Sequence, residues 1–155
     1  MENKKEVFGT LTAEINRILD EPQKIETKML AICQLLKDRV SYYNWVGFYL
    51  GDESTRMLEL GPFAGEPTEH VKIPFGRGIC GQAAERKEPF MIQDVSQELN
   101  YLSCSVHVRA ELVVPIFKDG HIVGELDIDS HTSWPFSDED RVFLEQVCTA
   151  VGSRL

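Results

Sequence analysis

The segment AELVVPIFKDGHIVGELDIDS, residues 110–130, decides the fold, because two apolar runs meet there across an Asp-Gly step at 119–120. This pattern predicts a β-hairpin. A two-residue loop would pair Lys118 with His121 and would mix apolar and acidic side chains on one face. A three-residue loop pairs Phe117 with His121 instead, with the glycine as the left-handed residue of a bulge.

The three-residue loop is the better prediction, because it separates the hairpin side chains by polarity. A one-residue slip in pairing would move every side chain to the opposite face of the sheet. The apolar face then carries Leu112, Val114, Ile116, Ile122, Gly124, Leu126 and Ile128. The other face carries four acids, Glu111, Glu125, Asp127 and Asp129.

Four carboxylates on one face repel one another, and two interpretations account for them. The exposed face of an antiparallel sheet is usually polar, so the acids could face water. Alternatively, they form the floor of a pocket that binds a cation, either a ligand ammonium group or a divalent metal. In such a cluster each carboxylate raises the proton affinity of its neighbours until the cation binds.

The length and charge of the chain narrow the class of protein. Its 155 residues predict a single domain spanning 1–155, long enough to bury a sizeable core without metals or disulfides. A net charge of -9 argues against nucleic acid and anionic membranes as partners. Residues 1–19 lack an apolar run long enough for a signal peptide or membrane span, so we expect a cytoplasmic protein. Its four cysteines should then be free or catalytic thiols.

Periodicity predicts two helices before residue 41, a closing helix capped by Ser137, and short strands between them. Together these helices and strands predict an α+β layered domain with a mainly antiparallel central sheet. We expect the terminal helices on its apolar face and a ligand pocket on the other face. Cys33 and Cys148 fall on apolar helix stripes, which predicts that both are core residues.

The segment NWVGFYL, residues 44–50, predicts an aromatic strand with Trp45, Gly47 and Tyr49 on one face. The two aromatic side chains fit either the core or an aromatic wall beside the acidic face of the hairpin. Gly47, which lies between them, would leave room for a ligand.

Two further cysteines lie outside the helix stripes. Cys80 falls in the first turn of a short helix predicted over 79–86. Backbone N–H groups, the helix dipole and Arg77 would stabilise a thiolate there and lower the thiol pKa. Alternatively, Cys80 is a small residue packed closely between glycines. Cys104 lies in a long surface loop predicted over 94–109, where an exposed free thiol is an oxidation liability unless it is used.

Four segments in this order resemble the free methionine-R-sulfoxide reductases, which are single GAF domains. The resemblance runs from about residue 44 to the final helix and includes Cys104, seven residues before Glu111. The segments are NWVGFYL, LGPFAGEP, IPFGRGICGQAA and ELVVPIFKDGHIVGELDIDS.

The resemblance implies reduction of free L-methionine-R-sulfoxide to methionine through a cysteine sulfenic acid and a disulfide, without a cofactor and with a thioredoxin-like reductant. The acids would bind the substrate ammonium group, and the aromatic wall would hold the methyl-sulfinyl end. The family's substrate-binding residues match Trp45, Tyr49, Glu111, Asp127 and Asp129.

The family has three site cysteines, and the resemblance implies that Cys80 and Cys104 are two of them. Cys104 is assigned as the nucleophile and Cys80 as the resolving thiol, and the reverse assignment stays open. His70 stands where the third cysteine is expected, and residues 108–110 replace a serine-rich run. Two cysteines suffice for a sulfenic acid and its resolution.

Two other interpretations remain open at this point. A GAF domain that binds a small metabolite as a sensor, without turnover, would agree with the loss of the third cysteine. A metal site formed by His70, His107 and the acidic face would lack the cysteine and histidine spacing usual for zinc. The sequence also leaves open whether the protein forms a homodimer.

Overall fold

The computed structural model describes residues 3–102 and 106–155, so Cys104 lies outside the described residues. Within them the strands form one six-stranded antiparallel sheet with the order β3-β2-β1-β6-β5-β4. The strands are β1 Trp45–Asp52, β2 Met57–Ala64, β3 Lys72–Pro74, β4 Phe90–Ile92, β5 Ala110–Lys118 and β6 His121–Ser130. The helices are α1 Lys4–Asp20, α2 Ile25–Arg39, α3 Gly78–Arg86 and α4 Asp138–Gly152, with a 3-10 turn at Val95–Gln97. The predicted α+β architecture is confirmed.

The predicted division of the central hairpin into two faces is correct for the long paired region, but the predicted turn is wrong. Asp119 and Gly120 have φ values of 53° and 80°, which are typical of a two-residue type I′ turn. Lys118 therefore pairs with His121. The register then shifts, because an extra residue, Val123, forms a bulge in β6.

The bulge restores the separation of polarity that the tight turn alone would destroy. Beyond it, Leu112 pairs with Ile128 and Glu111 pairs with Asp129. The four acids consequently share one face of the hairpin, as predicted. Ile122, on the turn side of the bulge, is the exception, because it packs with the residues of the acidic side.

The apolar face of the sheet carries the larger core. Helices α2 and α4 contact the sheet directly, and α1 packs across both of them. The rings of Phe8 and Phe143 stack at 4.3 Å between α1 and α4. Cys33 and Cys148 are buried in this core and each donates to a backbone carbonyl, which confirms the prediction of two core cysteines. Among the described residues, no helix is both long and apolar enough to cross a membrane.

A buried carboxylate joins the helices to the start of the sheet. Asp140 is fully buried in the first turn of α4, where it forms a capping box with Ser137. It accepts hydrogen bonds from Lys4 Nζ at 2.6 Å, Tyr42 OH at 2.7 Å and Tyr43 OH at 2.8 Å. This one side chain therefore connects α1, the loop before β1 and α4.

We expect Asp140→Ala to lower the free energy of unfolding by about 3 kcal/mol, because it leaves two tyrosine hydroxyls and a lysine without their shared partner. Asp138→Ala is the matched control, since the Asp138 side chain is 88% exposed in the same helical turn. Its effect should stay below about 1 kcal/mol. Urea unfolding of both variants measures the difference, and equal effects would contradict a structural role for the Asp140 network.

Candidate functional site

The acidic face of the hairpin is covered by protein and does not face water. Helix α3 packs over it and, with Ile73 of β3, forms a second, smaller core that includes Tyr49, Val113 and Ile122. The exposed fractions of the four acids are 4% for Glu111, 0% for Glu125, 1% for Asp127 and 1% for Asp129. The interpretation of this face as a solvated surface is therefore wrong.

A small cavity lies between the acidic face and α3. Its polar lining comes from the sheet, from α3 and from the loops next to them. The polar side chains that line it are Tyr49, His70, Arg77, Cys80, Glu111 and Asp127. Ile73, Ile79 and Leu102 complete the wall with apolar surface. The cavity is thus small, mostly enclosed by protein and acidic on its floor.

Cys80 lies in the first turn of α3, as predicted, and its Sγ is 3.8 Å from Oε2 of Glu111. The predicted lowering of its pKa is wrong. Burial, followed by the charges of Asp127 and Glu111, raises the pKa of this thiol well above its ordinary value of 9.0. The helix dipole contributes about 1 to 2 kcal/mol, which is less than the cost of burying a thiolate beside carboxylates. In the ligand-free cavity Cys80 is therefore a protonated thiol.

Two acids of the hairpin face, Glu125 and the cavity residue Asp127, have raised pKa values. Burial, and then the charge of Asp127, raises the pKa of Glu125 well above its ordinary value. Burial also raises the pKa of Asp127, although hydrogen bonds from Glu111 and Cys80 oppose the shift. Within residues 3–102 and 106–155, neither Glu125 oxygen nor Oδ1 of Asp127 has a hydrogen-bond partner. A cation in the cavity would supply the missing interaction to Asp127, which lines it.

The two aromatic residues of β1 occupy different places. Tyr49 lines the cavity, and its hydroxyl donates to the backbone carbonyl of His70 at 2.9 Å. Trp45 lies beside it, where its indole N–H donates to the carbonyl of Glu66 at 2.8 Å and its ring stacks on Phe63. Trp45 is not among the described residues of the cavity lining.

Gly47 has a role other than the predicted one. A Cβ built at this position would lie 2.3 Å from the Trp45 ring, so the indole itself fills the space above the glycine. The prediction that Gly47 leaves room for a ligand is wrong. Asp129, two residues beyond Asp127 on β6, also lies outside the described lining of the cavity.

Asn100 positions the start of α3, and sequence reasoning missed it. Its side chain accepts from the N–H of Gly78 at 2.8 Å and donates to the carbonyl of Gly76 at 2.9 Å. Gly76 and Gly78 have positive φ values of 91° and 65°, respectively, so this turn depends on the conformational freedom of glycine. No local pattern marks Asn100, because its partners lie more than twenty residues earlier in the chain.

The buried acids make stability dependent on pH, and Glu125→Gln should reduce that dependence. In the unfolded chain Glu125 ionises above its ordinary pKa of 4.5, whereas the folded protein keeps it protonated to a higher pH. Its contribution to stability is complete below pH 4.5. The contribution declines toward the raised folded-state pKa by roughly 1 kcal/mol per pH unit.

We therefore expect Glu125→Gln to be more stable than the wild type at pH 8 and to lose less stability between pH 5 and 8. Urea unfolding in metal-free buffer at several pH values measures this. Glu88→Gln, a change at an exposed glutamate, is the control and should follow the wild-type curve. Parallel curves for all three proteins would contradict a buried, protonated Glu125.

Comparison with known proteins gives a consistent result. The chain matches the family model of the GAF domain over residues 24–155. The free methionine-R-sulfoxide reductase of Escherichia coli (strain K12) is 35% identical over 145 residues, which cover 94% of this chain and 86% of that protein.

Two solved structures are similar over almost the whole chain. Free methionine-R-sulfoxide reductase from Neisseria meningitidis, in complex with its substrate, has a TM-score of 0.93 and 30% identity, and the match covers 99% of this chain and 91% of that one. The Staphylococcus aureus fRMsr, also in complex with substrate, has a TM-score of 0.86 and 34% identity, with 96% and 95% covered. This chain therefore belongs to the GAF domain family and, within it, to the free methionine-R-sulfoxide reductases.

Proposed function

We propose that this protein reduces free L-methionine-R-sulfoxide to methionine through a cysteine sulfenic acid and a disulfide, which a thioredoxin-like partner then reduces. The observation that carries the proposal is the placement of the Cys80 thiol in a small cavity, 3.8 Å from Glu111 and beside the buried Asp127. The similarity to reductases solved with their substrate supports the same reading.

The charge of the cavity supports a free amino acid as the substrate. Glu111 and Asp127 line its floor, and Asp129 pairs with Glu111 across the hairpin. An ammonium group among them would form charge-assisted hydrogen bonds and favour the ionised carboxylates. A peptide-bound methionine sulfoxide has no free ammonium group, so it would place no cation beside these acids. The methyl-sulfinyl end would face Tyr49, which Trp45 supports from behind.

The raised pKa of Cys80 favours Cys104 as the nucleophile. A thiolate is needed to attack the sulfoxide sulfur, and Cys80 in the ligand-free cavity is a buried, protonated thiol. In the sequence, Cys104 follows the cavity residue Leu102 by two positions. We therefore assign Cys104 to the attack and Cys80 to the resolution of the sulfenic acid.

The proposed steps balance without a metal or an organic cofactor. The Cys104 thiolate attacks the sulfoxide sulfur, the oxygen is transferred to the cysteine as a sulfenic acid, and methionine leaves. A proton taken up from solvent completes the sulfenic acid, while Glu111 and Asp127 stay ionised against the substrate ammonium group. The Cys80 thiol then displaces water from the sulfenic acid to form a disulfide. A dithiol reductant returns both cysteines to the thiol state, so His70 in place of a third cysteine does not prevent turnover.

The first test is NADPH oxidation coupled through thioredoxin, with free methionine-R-sulfoxide compared with the S epimer and with a peptide-bound sulfoxide. We expect turnover of the free R form alone. Cys80→Ser and Cys104→Ser should each abolish it, whereas Cys33→Ala, a change in the opposite core, should retain it. If reduced and folded wild-type protein turns over none of these compounds, the hypothesis that it is a reductase fails. The cavity would then be the binding site of a sensor.

A second test addresses the ammonium site. We expect Asp127→Asn to lower kcat/KM by on the order of 100-fold, mainly through KM, because it removes one charge-assisted contact of roughly 2 to 3 kcal/mol. Steady-state kinetics measures the effect, and Glu88→Gln serves as the control for a distant loss of negative charge. A KM unchanged in Asp127→Asn would contradict the placement of the ammonium group on the cavity floor.

A further inference from the structure

Three metal-ligating atoms of different kinds converge in the cavity. The Sγ of Cys80 and one carboxylate oxygen each from Glu111 and Asp127 all lie within 4.8 Å of one another, and the three residues are buried. The distance from Sγ to Oε2 of Glu111 is 3.8 Å. Zn–S bonds of about 2.3 Å and Zn–O bonds of about 2.0 Å at a tetrahedral angle place sulfur and oxygen roughly 3.5 Å apart. The observed spacing is therefore close to that of a zinc site.

A second observation, independent of the spacing, also points to a bound cation. Asp127 is 1% exposed, lines the cavity, and its Oδ1 has no hydrogen-bond partner in the described part of the chain. Glu125 lies on the same face, two residues earlier on β6, and is fully buried. A carboxylate oxygen buried without a partner is costly, and coordination to a metal removes that cost.

The chemistry of these ligands selects the metal. A thiolate with two carboxylates is a mixed sulfur and oxygen set, which suits Zn²⁺ and its thiophilic analogues Co²⁺ and Cd²⁺. Mg²⁺ and Ca²⁺ prefer six or more oxygen ligands and, in the case of Mg²⁺, keep several waters. The small cavity, with one thiol and two carboxylates, does not offer six oxygen ligands or room for several waters.

We propose that the ligand-free cavity binds one zinc ion through Cys80, Glu111 and Asp127, and that the bound ion excludes the amino-acid substrate. When zinc binds, Cys80 releases its thiol proton to solvent and coordinates the metal as a thiolate. Neither the sulfur nor the metal is oxidised or reduced. The metal and the ammonium group of the substrate require the same two carboxylates, so they compete. The competition rests on the proposed function, whereas the binding of zinc does not.

Titration of the reduced, metal-free protein with Co²⁺ tests the binding. We expect one equivalent per chain and a sulfur-to-cobalt charge-transfer absorption in the near ultraviolet, both reversed by Zn²⁺. Cys80→Ala should lose the absorption, and Asp127→Asn should weaken the affinity by at least about tenfold. The matched control is Cys148→Ala, another buried cysteine, which should bind as the wild type does. Circular dichroism of each variant checks that it is folded.

Titration of the Cys104→Ser variant with Co²⁺ shows which thiol binds the metal. Retention of the absorption supports Cys80 as the ligand, and its loss would overturn the proposed ligand set. The proposal also fails if folded wild-type protein shows no charge-transfer absorption, or if Cys80→Ala retains it.

A single-turnover assay tests the competition without interference from thioredoxin. Methionine formed by pre-reduced enzyme should decrease with one equivalent of Zn²⁺, and excess methionine sulfoxide should restore it. Inhibition that excess substrate does not relieve would overturn the competition. If the protein forms no methionine even without zinc, the proposed function fails, and the cobalt absorption still decides the metal site.

Discussion

The burial of four carboxyl groups on one face of the central hairpin is the constraint on which the rest of this structure depends. Ionised carboxylates cannot remain in a protein interior without protons, hydrogen-bond donors or a cation. Here burial raises the pKa values of Glu125 and Asp127, and a positive charge in the cavity would stabilise the ionised form of Asp127. The apolar core on the other face of the same strands offsets the free-energy cost of burying these carboxyl groups.

The apolar face of the sheet therefore supports the fold, and the acidic face carries the candidate site. Helices α1, α2 and α4 and the Asp140 network fix the apolar side, which holds the strands at defined positions. Rigid strands are the most accurate support for a binding site, because strand side chains have defined directions. Helix α3 and the loop anchored by Asn100 then close the acidic side and bring Cys80 to the carboxylates.

Cys80 shows how a local rule can be outweighed by its surroundings. The first turn of a helix favours a thiolate, but only by about 1 to 2 kcal/mol. Burial beside carboxylates opposes the thiolate more strongly, so the thiol stays protonated. A cationic ligand or metal in the cavity would offset the part of this shift that the charges of Asp127 and Glu111 cause, whereas the larger effect of burial would remain. The reactivity of Cys80 is thus coupled to the occupancy of the cavity.

The sequence by itself determined the helices, the two faces of the hairpin and the core cysteines, because these follow from side-chain periodicity within single elements. The grouping of Tyr49 with Glu111 and Asp127 was expected only from the family resemblance, because these residues lie on three different strands. The tertiary structure decided what depends on contacts between distant segments. These are the bulge at Val123, the burial of the acids under α3, the filling of the space above Gly47 by Trp45, and the raised pKa of Cys80. Periodicity reports which face a side chain takes, whereas solvation and charge are properties of everything that packs against that face.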